Sequence, residues 1–295
     1  MALLPAAAAT YMTIPDCNTE LKFMSRTFER AEPMKTVDIR YAGRTVALPD
    51  MCEYAKFYRK LAGNCWEANT FTTLARNLDS DTVLIDIGAW IGVTPMWSAQ
   101  IARKVVAVDP DPKCAAILNA LAPAAGNVTV IEGALANRGK VAIHAVDCFG
   151  SSETSILDIG NGAEASARGF GIDDIMRHAA GAPVFVKIDI EGYEYEIADE
   201  LAKLKHYPLR GLQMAVHPQL YEKSLRGGWL WRRLRTAWAT WRLGRRLGGF
   251  IPGPSLHKFD SLAAYILGGI LFRGKPKGAD FVFERNPAPT FEDKS

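Results

Sequence analysis

The sequence has little cysteine and no long apolar segment. Its five cysteines are an odd number among 295 residues, and no two of them are spaced as CxxC. This pattern argues against a disulfide framework or a zinc knuckle and favours free thiols in a reducing compartment. The longest apolar run, residues 262–272, is interrupted by two glycines and is shorter than the roughly 20 residues that cross a bilayer. Residues 1–9 contain no lysine or arginine, so we expect no signal peptide and a cytoplasmic location.

Acidic residues are absent from one long stretch, and this divides the charge of the chain. No Asp or Glu lies between Glu222 and Asp260, whereas residues 223–258, here called the basic segment, hold nine Lys and Arg residues. The net charge of the whole chain is only +3, so the rest of the chain is net acidic. With 48% hydrophobic and 23% charged residues, the composition excludes a disordered or collagen-like chain. We therefore expect an acidic globular body that carries one basic surface.

From residue 82 onward, short apolar runs alternate with helical patterns. Continuous apolar strands separated by helices predict an α/β fold with a mostly parallel, doubly wound sheet that is covered on both faces. Two further runs, Ile270–Phe272 and Asp280–Glu284, flank a turn-like segment and predict an antiparallel pair at one edge. The strands predicted for the body of the sheet are residues 82–87, 104–109, 128–132, 140–146, 184–189 and 212–216.

The part of the chain before this alternation has a different pattern. Apolar residues recur at helical spacing over Asp50–Ala62 and Trp66–Leu78. We therefore expect an N-terminal helical cap over residues 1–80. The α/β domain is expected over residues 81–290, with the basic segment as an insert.

Glycines and acids at the ends of the first three strands predict a nucleoside pocket. The first strand ends in Asp86-Ile-Gly-Ala-Trp-Ile-Gly92, where glycines either merely close the turn or let a ligand approach the backbone. Asp109 ends the second strand, about where doubly wound folds place an acid on a ribose hydroxyl. The Asp86 carboxylate would repel a pyrophosphate and suits the cationic S-adenosylmethionine (SAM), which disfavours a dinucleotide oxidoreductase. The predicted cofactor-binding residues are Asp86, Gly88, Ala89, Gly92, Asp109, Pro110, Glu132 and Ala134.

Several of these motifs occur together in a recognisable order. The glycine turn is followed by Val108-Asp-Pro110, Asn119, Asn127, Val186-Lys-Ile-Asp-Ile-Glu-Gly-Tyr-Glu194 and Val216-His-Pro218. Over residues 80–218 this series resembles the FkbM family of methyltransferases, and the run from Lys187 to Gly192 is its most specific part. The resemblance implies a Rossmann-like class I methyltransferase fold and SAM-dependent O-methylation of a sugar, a glycan or glycolipid, or a secondary metabolite.

Lys187, Asp189 and Glu191 follow one another at the end of the fourth parallel strand, and His217 ends the next one. Ligands of open α/β sheets bind beyond these ends, so the four residues are candidate catalytic groups. His217 or Asp189 would accept the proton of a hydroxyl, since the ordinary pKa of histidine is about 6.5. Alternatively, Asp189, Glu191 and His217 would hold a divalent metal such as Mg²⁺ that lowers the pKa of that hydroxyl. Purely structural roles are the alternative for three of these residues: a helix cap for Glu191, an ion pair for Lys187 and a hydrogen bond for His217.

The basic segment contains four of the seven tryptophans, within residues 225–249. On a helical wheel Leu230, Leu234, Ala237, Trp238 and Trp241 share a face, and arginines occupy another. Such a helix suits an anionic membrane surface or a partner groove. Other interpretations are an insert whose apolar face covers the fold, an acidic substrate, or, less favoured, nucleic acid. The alternative function is a peripheral membrane or nucleic-acid-binding protein with a vestigial nucleotide fold.

Overall fold

The computed structural model describes residues 35–63, 66–136, 139–145, 148–151, 154–158, 162–248, 255–256, 259 and 261–285. Thirteen strands lie in this part of the chain. In chain order they are β1 (Thr36–Tyr41), β2 (Arg44–Pro49), β3 (Val83–Ile87), β4 (Lys104–Asp109), β5 (Val128–Glu132), β6 (Ala134–Leu135), β7 (Gly139–Ala145), β8 (Thr154–Ser155), β9 (Glu164–Phe170), β10 (Val184–Ile188), β11 (Leu209–Val216), β12 (Ser255–Leu256) and β13 (Ala279–Glu284).

The described α-helices all lie in the connections between strands. The α-helices are α1 (Ala55–Ala62), α2 (Ala68–Asn77), α3 (Val93–Ser98), α4 (Pro112–Ala125), α5 (Ile172–Met176), α6 (Ala198–Leu201), α7 (Pro218–Ser224), α8 (Trp229–Gly248) and α9 (Leu262–Ala264). Short 3₁₀ helices lie at Cys52–Tyr54, Arg177–Ala179, Tyr193–Tyr195 and Ala202–His206, and a π-helix lies at Tyr265–Leu271.

A seven-stranded sheet forms the centre of the fold. Its strand order is β12-β13-β11-β10-β3-β4-β5, and β11 to β5 are all parallel. Strands β3, β4, β5 and β10 agree to within one residue with the ranges predicted from sequence. Every residue of β3 and β10 is buried, as the continuous apolar runs predicted. The predicted α/β class with a mostly parallel sheet is confirmed.

The edge of the central sheet is antiparallel, as predicted, but its pairing is different. Strand β13 pairs with β11 on one side and with β12 on the other. The prediction of a strand at Ile270–Phe272 is wrong, because Tyr265–Leu271 forms the π-helix. Tyr265 and Ile270 of that helix are fully buried, so their apolar character reflects packing on α8 rather than a strand.

A second sheet lies beside the central one, with the order β6-β9-β7-β8. The strand predicted at 140–146 is present as β7, but it pairs antiparallel with β9 in this separate sheet. Strand β9 at Glu164–Phe170 lies in a stretch where the sequence pattern predicts no strand. Its exposure alternates, and all of its residues except Phe170 are either small or polar, so no apolar run marks it.

Residues 35–77 combine the predicted helices with a hairpin that was not predicted. Helices α1 and α2 lie within the predicted ranges, and β1 pairs antiparallel with β2 ahead of them. The indole Nε1 of Trp97 donates to the Tyr41 carbonyl at 3.1 Å, and Nε2 of Gln213 donates to Oγ1 of Thr70 at 2.8 Å. These bonds attach the hairpin and α2 to the central α/β layers.

Helix α8 contains the tryptophans of the basic segment, and its orientation reverses one interpretation. Thr236, Thr240 and Gly244 face the fold together with Leu243 and Leu247, while Leu230, Leu234, Trp238 and Trp241 are about half exposed. Apart from the buried Ala237, the predicted apolar face therefore does not cover the fold. Among the described residues, no helix combines the length and apolar character needed to span a membrane.

Candidate active site

A cavity of about 590 Å³ opens at the carboxyl edge of the parallel strands. This is where open α/β sheets bind their ligands, and the volume lies in the usual range of about 300–1,000 Å³ for small-molecule sites. The residues from the sheet edge that line it include Gly88, Ala89, Asp109, Pro110, Ala134, Lys187, Asp189, Glu191 and His217. Nine of the twelve predicted site residues therefore meet at one cavity.

Gly88 lets two neighbouring strand ends approach each other. Its φ of +83° lies in the left-handed region, and an added Cβ would lie 1.7 Å from the carbonyl oxygen of Asp189. The backbone N–H of Asp189 in turn donates to the Ile87 carbonyl at 2.9 Å. Glycine is therefore required here to bring the Asp189 backbone against the turn. Gly92, at φ +91°, precedes α3 and contacts Leu118 rather than the cavity.

Asp86 and Lys187 form a buried ion pair beneath the cavity. Nζ of Lys187 lies 3.1 Å from Oδ1 of Asp86, and Thr94 donates to the other carboxylate oxygen. Burial alone lowers the pKa of Lys187, but Asp86 and Asp189 raise it overall, so the ammonium keeps its proton. Asp86 is fully buried and does not line the cavity, whereas Lys187 does. The geometry gives this pair a positioning role under Gly88.

Asp109 ends β4 with its carboxylate facing the cavity. Its two oxygens accept the backbone N–H groups of Trp90 and Asp111 at 2.7 and 2.9 Å. Burial raises the pKa of Asp109 to about 7, although these hydrogen bonds lower it in part. A carboxylate oxygen has two lone pairs, so each oxygen can still accept a hydroxyl of a bound ligand.

The third strand end contributes backbone more than side chains. Gly133 and Ala134 line the cavity, whereas Glu132 is exposed and does not. The backbone N–H of Gly133 donates to the Asp109 carbonyl at 2.9 Å, which closes the β4 and β5 ends together. Glu132 therefore lies near the predicted pocket without facing it.

His217 lies at the centre of three carboxylates. Its Nε2 is 3.7 Å from both Asp189 and Glu191, and its Nδ1 is 3.3 Å from Glu194. Burial by itself lowers the pKa of His217, but the Glu194 hydrogen bond and the charges of Asp189 and Glu191 raise it to about 10. The sequence suggested an ordinary pKa near 6.5; in this environment the imidazole is protonated at neutral pH instead.

Asp189, Glu191 and His217 each offer a ligand atom within 4.8 Å of the others. Oδ1 of Asp189 is buried and has no hydrogen-bond partner among the described residues. A buried carboxylate oxygen without a donor is unfavourable, which points to a ligand group that satisfies it. Two carboxylates and an imidazole are a donor set that Mg²⁺ or Mn²⁺ accepts.

The N-terminal helices supply a second wall that the motif analysis missed. Phe57 and Trp66 pack edge to face with centroids 5.0 Å apart, and Phe57 packs on Trp90 at 4.6 Å. Glu67 adds an acid to this wall at φ +43°, and burial raises its pKa to about 7. No spacing in the sequence relates these residues to the sheet edge, so only their aromatic character hinted at a role.

One carbonyl joins the N-terminal wall to the glycine turn. The oxygen of Gly150 accepts hydrogen bonds from Tyr54 Oη and Trp90 Nε1, both at 2.9 Å. The Gly150 N–H donates to Oδ2 of Asp111 at 2.7 Å. The described residues 148–151 are thereby fixed over the Asp109 side of the cavity.

No protein-family model matches the chain, and no curated protein matches its sequence. Solved structures are similar at a distance. An rRNA methylase from Streptococcus thermophilus has 11% identity and a TM-score of 0.40, covering 74% of this chain and 94% of its own. A geranyl diphosphate methyltransferase in complex with SAM has 11% identity and a TM-score of 0.41, covering 81% and 92%. A fibrillarin pre-rRNA processing protein from Methanococcus jannaschii has 11% identity and a TM-score of 0.38, covering 88% and 86%.

Proposed function

We propose that this protein is a SAM-dependent methyltransferase of the FkbM type that methylates an oxygen nucleophile. One observation carries the proposal: Gly88, Asp109, Asp189 and His217, from four neighbouring parallel strands, converge on one cavity of about 590 Å³. A vestigial fold has no need to keep two acids and a histidine at neighbouring strand ends facing the same space.

The residues around Asp109 suit the nucleoside half of SAM. Both carboxylate oxygens are held by backbone N–H groups and keep a free lone pair for ribose hydroxyls. Glu67, Asp189 and Glu191 line the same cavity, and their carboxylates favour a cationic amino-acid and sulfonium group. Bound SAM would supply a methyl group that is reactive toward nucleophiles.

Asp189 is the group best placed to take the proton of the acceptor hydroxyl. His217 holds a proton at neutral pH, so it orients the carboxylates and neutralises their repulsion rather than acting as the base. With SAM bound, the cofactor would supply the methyl group, and Oδ1 of Asp189 would accept the proton that the acceptor hydroxyl gives up. A positioned base contributes about 10²–10⁴-fold to such a step.

A divalent cation is the second route to the same reaction. Asp189, Glu191 and His217 would hold it, and Oδ1 of Asp189, which accepts no hydrogen bond from a described residue, is the observation that favours it. Such an ion lowers the pKa of a bound hydroxyl. The residues would then orient the acceptor, with His217 in its neutral form.

The aromatic wall favours a sugar as the acceptor. Phe57 and Trp66 line the cavity alongside Glu67, and planar apolar rings beside carboxylates suit the C–H faces and hydroxyls of a sugar. This supports O-methylation of a glycan, glycolipid or sugar-bearing secondary metabolite.

Calorimetric titration with SAM and with S-adenosylhomocysteine tests the first step. We expect both to bind at a single site, and absence of binding by either would refute the proposal. A radiolabelled methyl-transfer screen over sugars, glycans and glycolipids then identifies the acceptor. Transfer only to nitrogen or carbon acceptors would contradict the O-methylation part alone.

A further inference from the structure

The outward face of helix α8 exposes large apolar side chains. Trp231, Leu234, Trp238 and Trp241 are 51%, 53%, 53% and 49% exposed, and they recur at spacings of three and four residues. On a helix this spacing places them in one stripe. Trp229 and Leu230 extend the apolar surface at the start of the helix, at 67% and 54% exposure. A continuous apolar stripe of this size marks an interaction surface.

Arginines lie beside this stripe and, at Arg245, end it, and three of them stack on its rings. Arg235 lies 5.5 Å from the Trp231 ring centroid, Arg242 lies 5.9 Å from Trp238, and Arg245 lies 5.6 Å from Trp241. Arg242 and Arg246 share Asp199, whereas Arg235 and Arg245 form no ion pair with a described carboxylate. The surface therefore combines indole rings with uncompensated positive charge.

The opposite face of α8 holds the helix firmly to the fold. Nε of the buried Arg233 donates to Glu222 at 2.9 Å, and its Nη1 donates to the Ile270 carbonyl at 2.7 Å. A Cβ at Gly244 would lie 2.5 Å from Leu262, so the two segments pack in close contact. Burying the tryptophans against this protein would require removing these contacts. The apolar stripe is therefore a fixed outer surface.

We propose that α8 lies in the interface of an anionic lipid bilayer, with Trp231, Leu234, Trp238 and Trp241 inserted among the headgroups. Tryptophan favours this depth because its ring is apolar and its N–H is polar, and arginines beside it bind anionic lipid. A second copy of the chain would bring two arginine-rich faces together, which like-charge repulsion disfavours. The stripe lies outside the cavity, so this inference does not depend on the proposed methyl transfer.

Co-sedimentation of the full chain with large vesicles tests the inference. We expect binding to vesicles that contain phosphatidylglycerol, with a blue shift of tryptophan emission, and little binding to pure phosphatidylcholine. Trp238→Ser with Trp241→Ser, or Arg235→Glu with Arg245→Glu, should each weaken binding by about tenfold or more. These side chains are exposed, and circular dichroism will show whether each variant keeps its fold.

Arg103→Glu with Lys140→Glu is the matched control, because it makes the same change in net charge at exposed positions away from α8. This control should keep most of the vesicle binding. Equal loss in the control and in the α8 charge variant would overturn the proposal, as would unchanged binding of the tryptophan variant. Absence of vesicle binding, with tryptophan-dependent binding of single-stranded RNA or tryptophan-dependent dimerisation in light scattering, would assign the stripe to those partners instead.

Discussion

The backbone N–H of Trp90 donates to Oδ2 of Asp109 at 2.7 Å, although 19 residues separate the two. Trp90 itself adopts a φ of +49°, a left-handed value that costs free energy for a residue with a side chain. The bond holds the turn after β3 against the end of β4, and it fixes the carboxylate on the cavity side. The conformation of the turn and the orientation of Asp109 are therefore linked.

Asp109→Asn should lower the affinity for SAM by about 10–100-fold, since hydrogen bonds to a charged group contribute about 1.5–3 kcal/mol. The amide loses the charge and offers a donor where Trp90 and Asp111 both donate. Calorimetric titration measures this change. Asp81→Asn, an exposed acid before β3, is the control and should bind SAM as the wild type does. Unchanged SAM affinity in the Asp109 variant would mean that this carboxylate does not contact the ribose.

Removing one partner of the Asp86–Lys187 pair should destabilise the protein strongly. Lys187→Met leaves a fully buried carboxylate without its cation, and we expect a loss of about 3–5 kcal/mol in the free energy of unfolding. The double change of Asp86→Leu with Lys187→Met should recover most of this loss, because no buried charge is left unpaired. Denaturant unfolding measures both variants.

Lys35→Met is the control for this pair, since Lys35 and Asp50 form an exposed bridge at 3.2 Å. Its effect should be much smaller, as exposed pairs are screened by water. A Lys187→Met loss no larger than that of the control would show that the buried pair contributes little to folding.

Gly88→Ala should damage the site more than its backbone strain accounts for. Gly126→Ala is the matched control: φ is +76° there, close to the +83° of Gly88, but no atom lies within 4 Å of an added Cβ. The control should lose about 1–2 kcal/mol from the left-handed conformation alone. Gly88→Ala should lose more and should also weaken SAM binding, because its Cβ would displace the Asp189 backbone. If Gly88→Ala and Gly126→Ala lose the same stability and bind SAM equally well, the Asp189 backbone moves away from the added Cβ at no cost.

Stability should depend on pH through His217 in protein treated with EDTA. Its pKa is about 10 in the folded protein and 6.5 when unfolded, so the folded state holds its proton more tightly. The stabilisation is complete below pH 6.5 and disappears as the pH rises through about 10. Thermal unfolding should therefore show the advantage of wild type over His217→Gln shrinking across this interval. A constant difference would mean that the carboxylates do not hold this proton.

Adding Mg²⁺ or Mn²⁺ to the same two proteins separates the two catalytic routes. A bound ion requires neutral imidazole, so metal should bind wild type more tightly as the pH rises and should raise its unfolding temperature. No metal-dependent shift, together with activity in EDTA, would leave Asp189 as the proton acceptor without a metal.

The sequence predicted the central sheet well because its strands are buried on both faces. The runs 82–87, 104–109 and 184–189 each contain four apolar residues out of six, and the charged residues inside them, Asp86 and Lys187, are buried. Strand β9 is not evident from the sequence because it lies in a side sheet, with alternating exposure and only one large apolar residue, Phe170. The π-helix was mistaken for a strand because a short buried apolar run has no period that separates the two.

The sequence predicts the site residues that lie at the ends of strands. It does not predict the contacts between side chains that are far apart in the chain. Asp109, Asp189 and His217 each end a parallel strand, so topology alone brings them together. The pairing of Asp86 with Lys187 joins residues 101 positions apart, so the sequence could suggest a structurally paired Lys187 but not Asp86 as its partner. The high pKa of His217 depends on Glu194, which the sequence analysis names only as part of the motif that ends there. Burial and charge around a group come from packing, which a single sequence does not contain.

The hydrogen bonds to the Gly150 carbonyl bear on where the protein can be shortened. Tyr54 precedes the first parallel strand by almost 30 positions, yet it shares that acceptor with Trp90. Trp97 and Gln213 likewise donate hydrogen bonds to Tyr41 and Thr70, which also precede the first parallel strand. A fragment that begins at the first parallel strand would expose the Trp97 indole and lose the N-terminal wall of the cavity. It would also leave the buried donors of Trp97 and Gln213 without acceptors. The smallest fragment worth expressing begins ahead of the hairpin at Thr36.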